Sequence, residues 1–370
     1  GSAVADHVTN LGVQARDDEA AGWLRRIDAL YGGRSGISEA DRADIEMARG
    51  RYFMEAGRAA LAADAFRAAG QLYIPQFGSN GRNAAVVDGL LVGALAADGR
   101  FSEAQPLLAR WERANVRPML LEAVQVSLAH EDLALADRAL SQLEGRPSFA
   151  ASAPRHAVLQ MLHRAEWLVA LGRAREASEL LARADADAVR LLPGAVRWQR
   201  QIAFARVNAL LELGNTEAAR ASHKQACPGD LPPGSVEHRR CADVGARIAL
   251  ATGDALRAIQ RLGTVPADRP FAEALWAQLV LGKRLLALNR AGEALAPLSA
   301  AVALAMRLHA ESPTRASAHA ANGMALLALD RREEAREQLA LAAQPHVPAA
   351  DPATRIGREI AQLRSALDRP

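Results

Sequence analysis

A chain of 370 residues, half of them hydrophobic but only 4% aromatic, exceeds the usual size of one hydrophobic core, so either several domains or a repeated small unit is expected. The net charge of +3 rests almost wholly on arginine, Lys224 and Lys283 being the two lysines, and interspersed acids (ARADADAVR, RREEAREQ) exclude the basic block of a nucleic-acid binder. Alanine and leucine dominate, alternating β-branched runs are nearly missing, and the longest charge-free apolar run, 294–306, falls short of the roughly 18–20 residues that span a bilayer. The expected fold is all-α, with no nucleic-acid partner and no membrane insertion.

Reading from the N-terminus, GSAVADH shows neither an initiator Met nor a signal peptide. Gly1-Ser2 reads as a scar of tag removal, so a piece of a longer protein is expected. The arginine–alanine bias points to a GC-rich bacterial genome. Residues 15–31 (ARDDEAAGWLRRIDALY) read as an amphipathic helix completing an incomplete N-terminal helical pair, which makes 1–37 a first segment.

From 38 to 344 one pattern returns. Turns such as EAGRAALAADAF, ALGRAREASELL and ALNRAGEALAPL each end one apolar-periodic helix and begin another. Their anchors are Gly57, Gly99, Gly172, Gly214, Gly253, Asn289 and Asp330, residue types that tolerate the left-handed backbone closing a helix. Glu131 anchors an eighth, glycine-free unit. Five residues beyond each anchor stands alanine (Ala62, Ala104, Ala136, Ala177, Ala219, Ala258, Ala294, Ala335). Nine beyond stands a large apolar residue in most units, and His223 in one. Seven before stand small residues in most units (Gly50, Ala165, Ala246, Gly282, Gly323, with Val92 and Val207 bulkier), so the two helices of a unit approach closely. Connectors with proline or glycine fall at 74–81, 144–154, 228–235 and 264–270. The chain closes with 345–370, where Asp351 as N-cap and Pro352 introduce a capping helix over 351–367.

Small–aromatic–Gly–Ala–Leu–Ala spacing of this kind resembles the tetratricopeptide repeat (TPR), with RGRYFMEAGRAALAADAFRAA and HRAEWLVALGRAREASELLARA as good matches. The resemblance covers 38–344 as about eight repeats, spaced mostly wider than the family's usual 34 residues. It implies a right-handed α-solenoid of helix pairs.

Catalytic patterns are missing: HExxH, GxSxG, Walker A and the Rossmann glycine fingerprint do not occur. FGSNGR (77–82) has no preceding strand to make it a phosphate cradle. His163 and His319 read as core or surface residues, and Glu333 and Glu334 as helix first-turn acids. No enzyme and no cofactor are expected in this chain. The two cysteines, in CPGDLPPGSVEHRRC (227–241), leave three readings open. They are a disulfide between Cys227 and Cys241, closing a loop worth roughly 3 kcal/mol; two free thiols; or zinc held by His223, Cys227, His238 and Cys241.

The resemblance also implies that a partner lies along the concave face, lined by the first helix of each pair. The position six before each anchor gives the expected partner-binding groove: Arg51, Gln125, Glu166, Asn208, Arg247 and Lys283, with Gly93 and Met324 at the same place in two other units. The Lys/Asn clamp of chaperone-tail TPRs is missing four residues earlier (Met47, Gly89, Leu121, Leu162, Phe204, Asp243, Leu279, Ala320). Arginines 190, 197, 200, 206, 239, 240 and 247 make the middle locally basic, as a solvated surface or a place for an acidic peptide or small anion. A protein or peptide partner, or a small-molecule ligand, is expected. The long irregular repeats are similar to the TPR regions that follow the membrane helix of bacterial serine/threonine kinases. That similarity implies a periplasmic sensor. The alternatives are a cytoplasmic TPR region of a transcriptional regulator and a scaffold for a secretion or envelope complex.

Overall fold

The computed structural model describes residues 7, 11, 17–31, 38–77, 82–114, 119–145, 154–229, 231, 236–254, 271–344 and 354–369. Among them are seventeen helices and no strand. After α1 (Asp17–Tyr31) come the helices of the repeating units: α2 (Glu39–Glu55) and α3 (Ala59–Phe77); α4 (Arg82–Ala97) and α5 (Phe101–Ala114); α6 (Met119–His130) and α7 (Leu133–Glu144); α8 (Pro154–Ala170) and α9 (Ala174–Leu191). They continue with α10 (Val196–Glu212) and α11 (Thr216–Ala226), α12 (Val236–Ala251), α13 (Phe271–Ala287) and α14 (Ala291–Ala305), α15 (Pro313–Ala328) and α16 (Arg332–Ala342). α17 (Arg355–Leu367) ends the stack. The helix expected to follow Gly253, with Ala258 and the connector 264–270, lies outside the described residues.

All eight anchors adopt the left-handed backbone, including Glu131 (φ 57°), Asn289 (57°) and Asp330 (62°). At each, the next residue donates its backbone N–H to a carbonyl five positions back, from Arg58 to Phe53 at 2.7 Å through Arg331 to Leu326 at 2.9 Å. That bond satisfies a carbonyl the helix end would otherwise leave bare, and it fixes the angle at which the second helix leaves. Where the residue after the anchor is Asn215 or Asp132, its side chain caps the second helix, accepting from Ala218 or Leu135. At Arg100, Arg173, Arg290 and Arg331 it instead grips a glutamate three residues on, each through two bonds of 2.6–2.7 Å.

Packing within a unit follows from size. The seven described alanines five beyond an anchor are completely buried. A Cβ added at Gly50 would collide with the ring of Phe66, and one at Gly282 with Leu298, which are the large residues nine beyond the same units' anchors. The paired positions leave room for hydrogen on one side only.

Two boundaries differ from the sequence expectation. α3 runs to Phe77 across Pro75, where a connector is expected from 74. Proline here costs a backbone bond only in the last turn, which sheds little of the helix. The final helix starts at Arg355 because the hydroxyl of Thr354 accepts the Gly357 N–H at 3.0 Å; Asp351 and Pro352 lie outside the described residues.

The stack also touches itself. The core of the first two units is continuous with that of α13 to α15, Phe101 meeting Phe271 edge-on at 5.7 Å. Arg307 donates to the carbonyls of Asp98 and Gly99, and His309 N–H to the carbonyl of His130 at 2.8 Å. The late units thereby satisfy the exposed C-terminal carbonyls of α4 and α6.

Candidate binding cavity

Inside this arrangement lies a cavity of about 640 Å³ whose walls come from α6, α7, α8, α10, α12, α13, α15 and α17. Gln125, Glu166, Asn208, Arg247 and Lys283, five of the six groove positions expected from the sequence, line it. Arg51, on α2, does not. Five successive units bring the same register position to one space because each first helix is set by an equivalent turn.

Two contacts join the cavity walls across the stack. Glu131 accepts three hydrogen bonds from the start of α15: the hydroxyl of Ser312 (2.5 Å), the N–H of Thr314 (2.9 Å) and its hydroxyl (2.7 Å). A carboxylate there faces the positive end of the helix. On the other side, α17 enters with Arg355, which donates to Glu212 of α10 at 2.7 Å, while Thr354 packs where a Cβ on Gly172 would stand.

Glu359 holds α17 against the wall. It accepts from the Lys283 ammonium at 2.8 Å, from the Ser317 hydroxyl at 2.7 Å and from Arg355 at 2.8 Å. Burial raises the pKa of its carboxyl, but Lys283 and Arg355 outweigh that and hold it down at about 2. Burial draws the Lys283 pKa below its usual range, with Glu359 opposing. α17 is therefore more than a cap: its outer half covers the end of the stack, Leu363 filling the space over Gly323, and its first turn is cavity wall.

Arg247 is held differently. Its guanidinium lies 4.2 Å from the centre of the Trp276 ring and donates to Asn208 Oδ1 at 3.1 Å. Its buried Nε has no hydrogen-bond partner among the described residues. Burial pushes its pKa down to about 10, Asp243 opposing and Arg355 adding to the depression. His163, also in the wall, contacts Glu166 at 2.9 Å through Nδ1.

The cysteine connector stands apart from the cavity. Cys227 and Cys241 are bonded, S–S 2.08 Å with Cα atoms 5.7 Å apart, tying the end of α11 to α12. His223, where other units carry leucine or phenylalanine, meets the carbonyl of Cys241 through Nε2 at 2.8 Å. His238 is exposed, and no cluster of three or more potential metal ligands occurs among the described residues. Much of the basic middle is paired: Arg197, 2% exposed, meets Glu237 at 3.1 Å, and Arg239 and Arg240 each approach Glu273 at 3.8 Å. His319 is buried against Gln338, and burial lowers its pKa.

A chain of the APC/C hetero-tetramer Cut9–Hcn1 is similar in structure, with a TM-score of 0.56 and 14% identity over 94% of this chain, which spans 59% of that chain's length. The fold is a TPR-type α-solenoid. Solenoids of this kind present extended concave surfaces for protein interaction. The TPR domain of P58(IPK) aligns over 99% of this chain and 98% of its own length at 12% identity, with a TM-score of 0.27. No family model and no curated protein matches the sequence.

Glu131, Trp276, Arg355 and Glu359 are the cavity residues that repeat reasoning does not reach. Glu131 carried one signal, a glutamate where every other anchor is Gly, Asn or Asp. The other three lie outside the register that marks the groove.

Proposed function

We propose that this chain is a non-catalytic partner- or ligand-binding region of a larger bacterial signalling protein, and specifically the periplasmic sensor part of a transmembrane serine/threonine kinase. The observation that carries the binding role is the cavity, on whose walls five groove positions from successive repeats converge. The bonded cysteine pair supports the compartment, since disulfides persist in oxidising spaces. A partner or ligand in the cavity would touch α17 and the first helices of six units together, so occupancy would be felt along the stack.

Two measurements test this. A photo-crosslinking side chain placed at Gln125 in the parent protein should capture a partner, and one at the exposed Leu61 of α3 should not. Equal capture at both positions would remove the cavity from the interaction. For the compartment, the protein exported to the periplasm should resist thiol alkylation and melt at a lower temperature once reduced. Reactive thiols in the exported protein, or a melting point indifferent to reductant, would count against a periplasmic sensor.

A further inference from the structure

Every carboxylate in the cavity wall already has a partner. Glu131 holds the start of α15, Glu212 holds Arg355, Glu359 holds Lys283 and Arg355, and Glu166 meets His163. Arg247 is the exception among the charged groups. A guanidinium offers five N–H donors, and among the described residues this one makes one hydrogen bond, 3.1 Å to Asn208, while its buried Nε finds no acceptor. Trp276 backs its flat face at 4.2 Å, which fixes the plane in which the fork presents its remaining donors. Besides Trp276, the apolar part of the cavity wall is aliphatic, with Leu128, Val169, Leu211, Leu250, Val280 and Ile356.

We infer that the cavity binds a small monocarboxylate with an apolar body, its carboxylate held by Arg247 and its body against the aliphatic wall. This rests on the binding role proposed above and names the ligand class. The guanidinium fork matches a carboxylate with two parallel bonds. Charge argues for a single negative unit. Arg247 and Arg355 both line the cavity and both favour an anion there, but Asp243 and the four wall glutamates resist a dianion such as a phosphate monoester. Size agrees: about 640 Å³ falls within the ~300–1,000 Å³ of small-molecule pockets. A long peptide fits less well, because Glu131 with α15 and Glu212 with Arg355 bridge the walls of what would otherwise be an open groove.

The test uses sodium decanoate and decanol, which share an apolar body and differ in the charged end, titrated into the full chain by calorimetry at neutral pH. Decanoate should bind at least about tenfold more tightly than decanol, the discrimination expected when a buried charged donor is otherwise left unpaired. Arg247→Met should abolish that preference, and Arg247→Lys should keep part of it. Ala170→Trp, which adds a large side chain to the cavity wall from α8 and leaves Arg247 on α12 in place, should weaken both ligands. It keeps the test decisive if Arg247→Met fails to fold. Equal binding of the two probes, undiminished decanoate binding by Arg247→Met or Ala170→Trp, or no decanoate binding at all would overturn the inference. So would tighter binding of an apolar hexapeptide with a free C-terminus. The crosslink at Gln125 reads the proposed function separately: capture there without decanoate binding defeats only the ligand class, and decanoate binding without any captured partner defeats the protein-partner half of that function and leaves the ligand-binding half standing.

Discussion

Lys283 with Glu359 and Arg290 with Glu293 are the same kind of ion pair at nearly the same separation, 2.8 Å against 2.6–2.7 Å. The first is partly buried and joins α13 to α17, with Ser317 of α15 and Arg355 completing the cluster. The second is exposed and joins two residues three apart in one turn. Distance does not separate them; desolvation does. A screened pair exchanges water for a partner at little net gain, whereas a buried charge that loses its partner is left where water cannot replace it.

The largest effect should come from breaking the buried pair on one side. Glu359→Leu leaves the Lys283 ammonium with Ser317 alone and is expected to cost about 3 kcal/mol in urea unfolding, while the double variant Lys283→Met/Glu359→Leu should recover most of it. A single variant within 1 kcal/mol of the parent, about the scale of a surface pair, would mean that α17 is held by Ile356, Ile360 and Leu363 without the network.

Acid should act on the same pair. The Glu359 carboxyl is held down at about 2 against an unfolded value of 4.5, so its contribution is complete above 4.5 and lost as pH falls from there towards 2. His130 and His319 act earlier. Burial lowers both, with His309 adding to the effect at His130, so the unfolded chain takes up protons first and stability begins to fall below the ordinary value of 6.5. Two separate losses in an acid titration of unfolding free energy are expected, and His130→Leu should shrink the upper one alone.

Glu131 sharpens the contrast between local and long-range roles. Glu131→Gly supplies the residue type most other turns use and relieves a left-handed backbone, yet it removes three bonds to α15, so a loss of about 2 kcal/mol is expected. Asn289→Gly, at the equivalent turn, should be neutral or slightly stabilising. If both variants behave alike, Glu131 is only a turn residue.

Gly282→Ala reverses a propensity rule. Alanine is favoured over glycine inside a helix by about 1 kcal/mol, but here its methyl group collides with Leu298. Overpacking of this sort costs about 1–3 kcal/mol, so net destabilisation is expected in thermal unfolding. Smallest of all, Arg290→Ala and Glu293→Ala should leave the melting temperature unchanged within error, and a clear drop would show that the turn pairs set the geometry of the second helix.

Most of what depends on near neighbours in the chain was legible from the residues alone, the end of α3 and the start of α17 excepted. The eight anchors, their left-handed backbone, the alanine five beyond and the glycine–large-residue pairs all follow from chain geometry that repeats each time the turn repeats. A register position carried by rigid equivalent units points the same way in each of them, and five of the six residues named at it line one cavity. Tertiary structure alone decided which distant units meet. The bonds from Glu131 to Thr314, Glu212 to Arg355, and Lys283 to Glu359 span 183, 143 and 76 residues. Their geometry is the sum of small rotations over several repeats, and no local spacing encodes that sum. Arg247 shows the limit best: its place in the groove could be read from the repeat, but its spare donors are known only from what surrounds it.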